Sequence, residues 1–293
     1  MSKPTIGFIG LGLMGAAMVE CLQENGYPMV VIANRSRTAI DAAVARGATE
    51  ATSTAELAAA SDIVMLCVDT TANVESRIYG DDGVLAGIRP GSVVIDFGTS
   101  IPDSTRKIGA DLAEKGATYL DAPLGRTPAH AKKGQLNIMC SGDKEAFDKV
   151  KPVLDVLGEN VFHLGALGTG HTIKLINNFF AMTTASAMAE AFGIADRSGI
   201  EREKLYNVMS SGPLHSGMMD FIKSYAVDGQ IDLAFSINNG LKDVGYFREM
   251  SDALGAPSKI ARGTAETLKE VQDGGQGDLM VPQLIDFLTR DMK

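Results

Sequence analysis

Basic charge, cysteine, histidine and long apolar runs are what this chain has least of. Its 27 Lys and Arg stand against 36 Asp and Glu, a formal net charge of −9 at pH 7. Nucleic acids and anionic membrane surfaces call for clustered cations, so neither is an expected partner. No stretch reaches about 18 uninterrupted apolar residues, and Ser2-Lys3-Pro4 leads straight into a strand-like run without a basic and then apolar leader. Membrane insertion and secretion are therefore not expected. The three cysteines, Cys21, Cys67 and Cys140, are odd in number, far apart and set in apolar surroundings. That pattern fits unpaired thiols and a cytoplasmic chain. The four histidines, His130, His163, His171 and His215, show no ligand spacing, so no metal site is expected.

What is present is an ordinary globular composition, 45% hydrophobic and 22% charged over 293 residues. A chain of that length exceeds the roughly 250 residues at which single cores usually split, which favours two domains. The first half alternates brief apolar runs with helix-length segments: Thr5 to Ile9, Met29 to Ala33, Ile63 to Val68, Ser92 to Phe97, Thr118 to Asp121 and Leu136 to Cys140. Continuous apolar runs of this kind are the mark of strands buried on both faces of a parallel sheet. After Gly165 to Gly170 such runs stop. His171 to about Ser198 reads as one long Ala- and Met-rich helix, followed by helical segments broken at Gly199, Gly212-Pro213, Gly255-Ala256-Pro257 and Gly274-Gly275. The expectation is α/β: a Rossmann-type doubly wound parallel sheet over residues 1–166, then an all-α C-terminal domain over 167–293.

Gly10-Leu11-Gly12-Leu13-Met14-Gly15 follows the first strand and opens a helix. In that context the first glycine permits the turn, the second lets a pyrophosphate approach the backbone, and the third lets helix and strand pack closely. These six residues are candidate cofactor contacts. An NAD site places Asp or Glu about 20 residues on, at the end of the second strand. Here the segment is Asn34-Arg35-Ser36-Arg37, with no carboxylate to repel a 2′-phosphate and arginine to grip one. NADP(H) is favoured and NAD(H) is possible, with Asn34, Arg35 and Ser36 as the discriminating contacts. A solvated turn at Arg35 and Arg37 is the competing reading.

The segment Gly165-x-x-Gly168-x-Gly170-x-x-x-Lys174-x-x-x-Asn178 is more specific. Lys174 and Asn178 are four apart and share one face of an otherwise apolar helix, where polar groups are costly to bury without purpose. A surface stripe at a helix start is the alternative.

Taken together, the Gly10 to Gly15 turn, Asp121-Ala122-Pro123, the Gly165 to Asn178 segment and Lys242-Asp243 resemble the β-hydroxyacid (3-hydroxyisobutyrate) dehydrogenase family over essentially the whole chain. Within it, Leu124-Gly125-Arg126-Thr127 with Lys174 to Asn178 is most similar to members that reduce sulfolactaldehyde or succinic semialdehyde. The resemblance implies Lys174 as proton donor and acceptor and Asn178 as substrate orienter, with Asn177 beside it. Gly125, Arg126 and Thr127 would cradle the substrate's anionic end. The family usually has Ser-Gly-Gly there, and the change to Gly-Arg-Thr favours a guanidinium-gripped sulfonate or carboxylate. It also implies cofactor contacts at Leu66, Val68, Thr99 and Lys242. The implied reaction is hydride transfer between a nicotinamide dinucleotide and a small anionic aldehyde or its hydroxy acid. The sparse charge from Phe179 to Ala195 agrees with a homodimer or homotetramer. Two rivals stand beside it: an imine reductase, which typically lacks the lysine, and a nucleotide-binding module without catalysis. A phosphogluconate-type decarboxylating enzyme would need a larger helical domain.

Overall fold

A computed structural model describes residues 2–34 and 37–289. The first half runs β1 (Ile6–Ile9), α1 (Leu13–Glu24), β2 (Met29–Ile32), α2 (Thr38–Ala45), β3 (Thr49–Ala51), α3 (Thr54–Ala59), β4 (Ile63–Leu66), α4 (Thr71–Tyr79), α5 (Val84–Gly87), β5 (Val93–Asp96), α6 (Pro102–Ala113) and β6 (Thr118–Asp121). It continues with β7 (Leu124–Gly125), α7 (Pro128–Lys132), β8 (Leu136–Gly142), α8 (Lys144–Leu157) and β9 (Gly158–His163). The second half is helical: α9 (Thr169–Arg197), α10 (Arg202–Ser210), α11 (Gly217–Asp228), α12 (Ile237–Ala253), α13 (Lys259–Val271) and α14 (Leu284–Thr289).

Every residue of β1, β4 and β5 is buried, as strands covered by helices on both faces must be. Alternate residues feed two separate cores. Ile6, Phe8, Met65 and Ile95 pack on one side with Met18, Leu22 and Leu154. Ile9, Val64, Leu66 and Val94 pack on the other with Leu57, Ile108 and Leu112. The period of two is therefore present in space although the sequence is apolar throughout.

The sheet order is β3-β2-β1-β4-β5-β6-β8-β7, with β9 beside β8. The first six strands are parallel, and β8 joins β6 antiparallel. The sheet is thus parallel-dominated, with the doubly wound order expected. Three strands lie outside the six expected runs. β3 is Thr-Glu-Ala at the edge with only Ala51 buried, β7 has two residues, and β9 is mostly polar or exposed. None has the apolar run that signals a buried strand. The order reverses between β1 and β4, the place where open α/β sheets bind ligands beyond the carboxyl ends of their strands.

The chain divides into two compact units, one up to Lys174 and one from Leu175 on. The division lies within α9, a little beyond the expected 166/167 boundary. In the second unit, α9 contributes Met182, Ala185, Met188, Ala189 and Phe192 to a core with Ile222, Ile237, Val244, Leu268 and Ile285. That spacing of three and four is one face of a helix. The crossing with α12 is close, because a Cβ on Gly240 would sit 2.8 Å from Met182 Sδ. No helix among the described residues is long and apolar enough to cross a membrane.

Candidate active site

The turn after β1 has the geometry its glycines suggest. Gly10 has φ 99°, and a Cβ there would lie 2.3 Å from Cys67 O in the loop after β4. At Gly15 a Cβ would lie 2.0 Å from Gly10 O, so α1 is pressed onto the turn. Gly12 differs from both. Its φ of −72° and ψ of −165° suit any residue, and a Cβ there would meet nothing within 4 Å. Protein packing does not require a glycine at this position. Open space in front of a helix N-terminus with unsatisfied N–H groups is what a pyrophosphate needs. Leu11 and Met14 are half-buried and Leu13 is exposed. The residues present therefore fit a dinucleotide.

A cavity of about 620 Å³ lies beyond β2 and β3, lined by Ile32, Ala33, Glu50, Thr52, Ser53 and Arg77 among others. Asn34 is exposed beside it in sequence, while Arg35 and Ser36 lie outside the described residues. Arg37 donates to Glu50 at 2.6 and 3.0 Å and to Asp41 at 2.8 Å. The Glu50 hydrogen bonds, then those of Asp41, raise the guanidinium pKa above its ordinary value.

Leu66 closes β4 in the core, its carbonyl accepting from Phe97 N at 2.8 Å, and Val68 is half-buried near Gly10. Thr99 sits in a loop held by Asp96: Oδ1 accepts from Gly98 N at 2.8 Å and Oδ2 from Ser100 Oγ at 2.9 Å. Tyr119 Oη also donates to Asp96 Oδ2, at 3.3 Å. Burial, then the charge of Asp96, pushes the Tyr119 hydroxyl pKa far up.

Lys174 stands one turn into α9, half-buried, its Nζ donating to Leu124 O at 2.7 Å. Leu124 opens the segment Leu124 to Thr127, so the lysine is fixed to the stretch expected to hold substrate. Within that stretch Arg126 has φ 76°, the one non-glycine positive φ among the described residues. Left-handed backbone costs an ordinary residue roughly 1–2 kcal/mol, so the side chain stands where a glycine would be easier. Its guanidinium donates to Gln135 O at 2.7 Å and pairs with Glu159. Thr127 Oγ1 lies 2.8 Å from His130 Nδ1.

In the second unit Asn178 is buried and donates from Nδ2 to Asp243 Oδ2 at 2.6 Å. Lys242 Nζ lies 3.0 Å from Asp243 Oδ1 and 5.3 Å from the Tyr246 ring centroid. Exposed Asn177 donates to Asn178 Oδ1 at 3.2 Å. The Asn178 amide is thereby fixed from both ends.

Sequence reasoning did not single out the buried carboxylates of Asp96 and Asp121 as a pair, nor Asp243 as the partner of Asn178. A signal for the first was available: Val-Val-Ile-Asp and Thr-Tyr-Leu-Asp are apolar strands that each end in an acid. Asp243 could be paired with Asn178 only in three dimensions. Among the described residues no group of His, Cys, Asp and Glu is arranged to hold a metal.

The three thiols are free. Desolvation, then the charge of Asp96, pushes Cys67 up to about 12. Desolvation likewise raises Cys21 and Cys140. A thiolate is the reactive form, so incubation with iodoacetamide at mildly alkaline pH is expected to leave activity intact. Mass spectrometry should find labelling only after denaturation. Rapid inactivation of the folded protein would show an activated thiol near the dinucleotide turn.

Comparison with known proteins adds the family context. Residues 5–165 match the model of the NAD binding domain of 6-phosphogluconate dehydrogenase. Residues 168–288 match that of the NAD-binding domain of NADP-dependent 3-hydroxyisobutyrate dehydrogenase. The chain is 38% identical to an NAD-dependent L-serine dehydrogenase of Pseudomonas aeruginosa, over 71% of this chain and 70% of that one. It is 29% identical to the 3-sulfolactaldehyde reductase of Escherichia coli, over 93% and 91%. The Mycobacterium tuberculosis 3-hydroxyisobutyrate dehydrogenase solved with L-serine superposes with TM-score 0.88 at 27% identity, covering 98% of this chain and 99% of that one.

Proposed function

From the premise that this chain belongs to the 3-hydroxyisobutyrate dehydrogenase family of NAD(P)-dependent oxidoreductases, we propose that it interconverts a small anionic aldehyde and its alcohol, with Lys174 as acid and base. The observation that carries the lysine's role is its placement: a half-buried ammonium, hydrogen-bonded to Leu124 O at the head of the candidate substrate segment. A bound nicotinamide dinucleotide would supply or accept the hydride, held by the Gly10 to Gly15 turn and by Val68, Thr99 and Asn34.

In the reducing direction the Lys174 ammonium donates a hydrogen bond and then its proton to the developing alkoxide. It thereby combines charge stabilisation with general acid catalysis. In the oxidising direction neutral Lys174 takes the hydroxyl proton. Asn178, one helical turn on, orients the substrate through the amide that Asp243 fixes. Arg126 and the backbone of Gly125 and Thr127 hold the sulfonate or carboxylate, and the guanidinium must then exchange Glu159 for the substrate anion.

The proposed substrates are sulfolactaldehyde or a semialdehyde carboxylate, a choice that rests on Gly-Arg-Thr at 125–127. NADP(H) is the favoured cofactor because the residues after β2 include Arg35 and no acid. A second reading, NAD(H), has its own support in Glu50, which lines the cavity and occupies Arg37. Two further elements complete the proposal. Exposed Phe180 and Ile194 on α9 support a homodimer or homotetramer, and the unpaired thiols support a cytoplasmic location.

Initial rates of NADPH and NADH oxidation with sulfolactaldehyde, succinic semialdehyde, tartronate semialdehyde and glyoxylate test this reading. Turnover with one of the four and a preference for NADPH is the expected result; no turnover with any of them counts against it. Arg126→Gly should lower kcat/KM for the best anionic aldehyde by about tenfold or more, as loss of a charge-assisted contact does. Its Tm should change little, since release of the left-handed strain offsets the loss of an exposed ion pair and the added chain entropy. Unaltered kcat/KM would remove Arg126 from the substrate site.

A further inference from the structure

Asp121 ends β6, in register with Asp96 at the end of β5 and with Ser141 on β8. Both carboxylates are fully buried, a costly arrangement unless their oxygens are satisfied. Asp121 satisfies its own by gripping the start of α9: Oδ1 accepts from Gly168 N at 2.8 Å, and Oδ2 accepts from His171 N at 2.8 Å. Ser141 completes the grip, its Oγ donating to Asp121 Oδ1 and accepting from Gly170 N at 2.9 Å. Three N–H groups at the head of the helix are thus tied to side chains more than twenty residues away in the chain. The fit leaves no slack, because a Cβ on Gly170 would lie 2.2 Å from Met139 O and 2.9 Å from Asp121 Oδ2.

The same turn carries His171, which is fully buried. Its Nδ1 lies 2.8 Å from Thr105 Oγ1 and 3.9 Å from Asp121 Oδ2, and its Nε2 lies 3.7 Å from Asp96 Oδ2. Among the described residues Nε2 makes no hydrogen bond. Asp96 in turn orders the loop that carries Thr99. One buried polar cluster therefore joins the head of the lysine-bearing helix to that loop.

We propose that Asp121, together with Ser141, is a positioning residue for the reaction: by fixing the first turn of α9 it fixes Lys174 Nζ against Leu124 O. Leu124 lies three positions after Asp121 and Lys174 three positions after His171, so two short stretches of chain that Asp121 ties together set both ends of the lysine's path. The carboxylate is fully buried and acts through the helix it holds. Its effect is on the geometry of proton transfer, where displacement of about 1 Å costs on the order of 100-fold in rate. The inference rests on Lys174 being the acid and base, as proposed above.

Asp121→Asn keeps the shape but turns one acceptor into a donor facing a helix N–H. Ser141→Ala removes one link and leaves the carboxylate. The test measures kcat, KM, dinucleotide Kd by fluorescence, Tm and the primary isotope effect with 4-deuterated NADPH, with Lys174→Ala in parallel. Asp121→Asn is expected to lower kcat by roughly 100-fold and Ser141→Ala by roughly tenfold. Dinucleotide Kd should be unchanged, and the isotope effect on kcat should rise as the chemical step becomes limiting. A merely structural residue would lower Tm and the active fraction while leaving the isotope effect alone, and that outcome overturns the proposal. Normal kcat in folded Asp121→Asn overturns it as well. If Asp121→Asn does not fold, Ser141→Ala decides by the same criteria. Normal turnover by Lys174→Ala would instead overturn the role of the lysine, which keeps the two failures apart.

Discussion

Lys174→Ala should turn over its aldehyde about 10³-fold more slowly than the native chain, within the range that general acid–base catalysis supplies. The loss should appear in kcat, with dinucleotide affinity retained, because the residues that fit the dinucleotide lie on the β1 turn and the strand ends. Folding should survive. Lys174 is half-buried and donates to a backbone carbonyl, so alanine leaves Leu124 O to water. Lys174→Arg should not restore the rate in the oxidising direction, since a guanidinium keeps its proton and cannot act as the base. Single-turnover rates with saturating dinucleotide provide the measurement. A value within a few-fold of native would transfer the proton chemistry to another group.

The second large effect concerns two glycines that occur two residues apart and do different things. Gly10→Ala must accept φ 99° and a Cβ 2.3 Å from Cys67 O, a backbone clash that no rotamer relieves. The expected outcome is a protein that unfolds well below the native temperature or fails to accumulate. At Gly12 an added Cβ would enter open space and the backbone is one that any residue adopts, which leaves room for valine. Gly12→Val should fold with a near-native Tm and lose dinucleotide affinity by about 100-fold or more, because the side chain fills the space that a pyrophosphate must enter. Thermal unfolding with and without added dinucleotide separates the cases: ligand stabilisation should vanish in Gly12→Val. A Gly12→Val protein with full affinity would mean that the dinucleotide does not pass over this turn.

The doubly wound sheet was legible because its central strands are apolar on both faces and each is followed by a helix-length segment. The strands that escaped notice are those with little buried surface, such as Thr49–Ala51, in which Ala51 alone is buried beside β2. Helix α9 was legible from its Ala and Met pattern to within two residues at its start. The Lys174 and Asn178 pair could be read because four residues make one helical turn. What holds each in place could not, since Leu124 and Asp243 are fifty and sixty-five positions distant. His171 and Asp121 were visible as residues but not as neighbours; only the close of the sheet against the head of α9 brings them together. The engagement of Arg126 by Glu159 was equally out of reach, because it depends on β9, a strand that the sequence pattern does not announce.

The grip on the head of α9 comes from the ends of β6 and β8, upstream and downstream of residues 125–127 but not through them. Those three positions contribute no side chain to the hold on the helix that carries Lys174. If 125–127 hold the substrate's anion as proposed, a laboratory library confined to these positions should shift the preference among anionic aldehydes while leaving the head of α9 as it is.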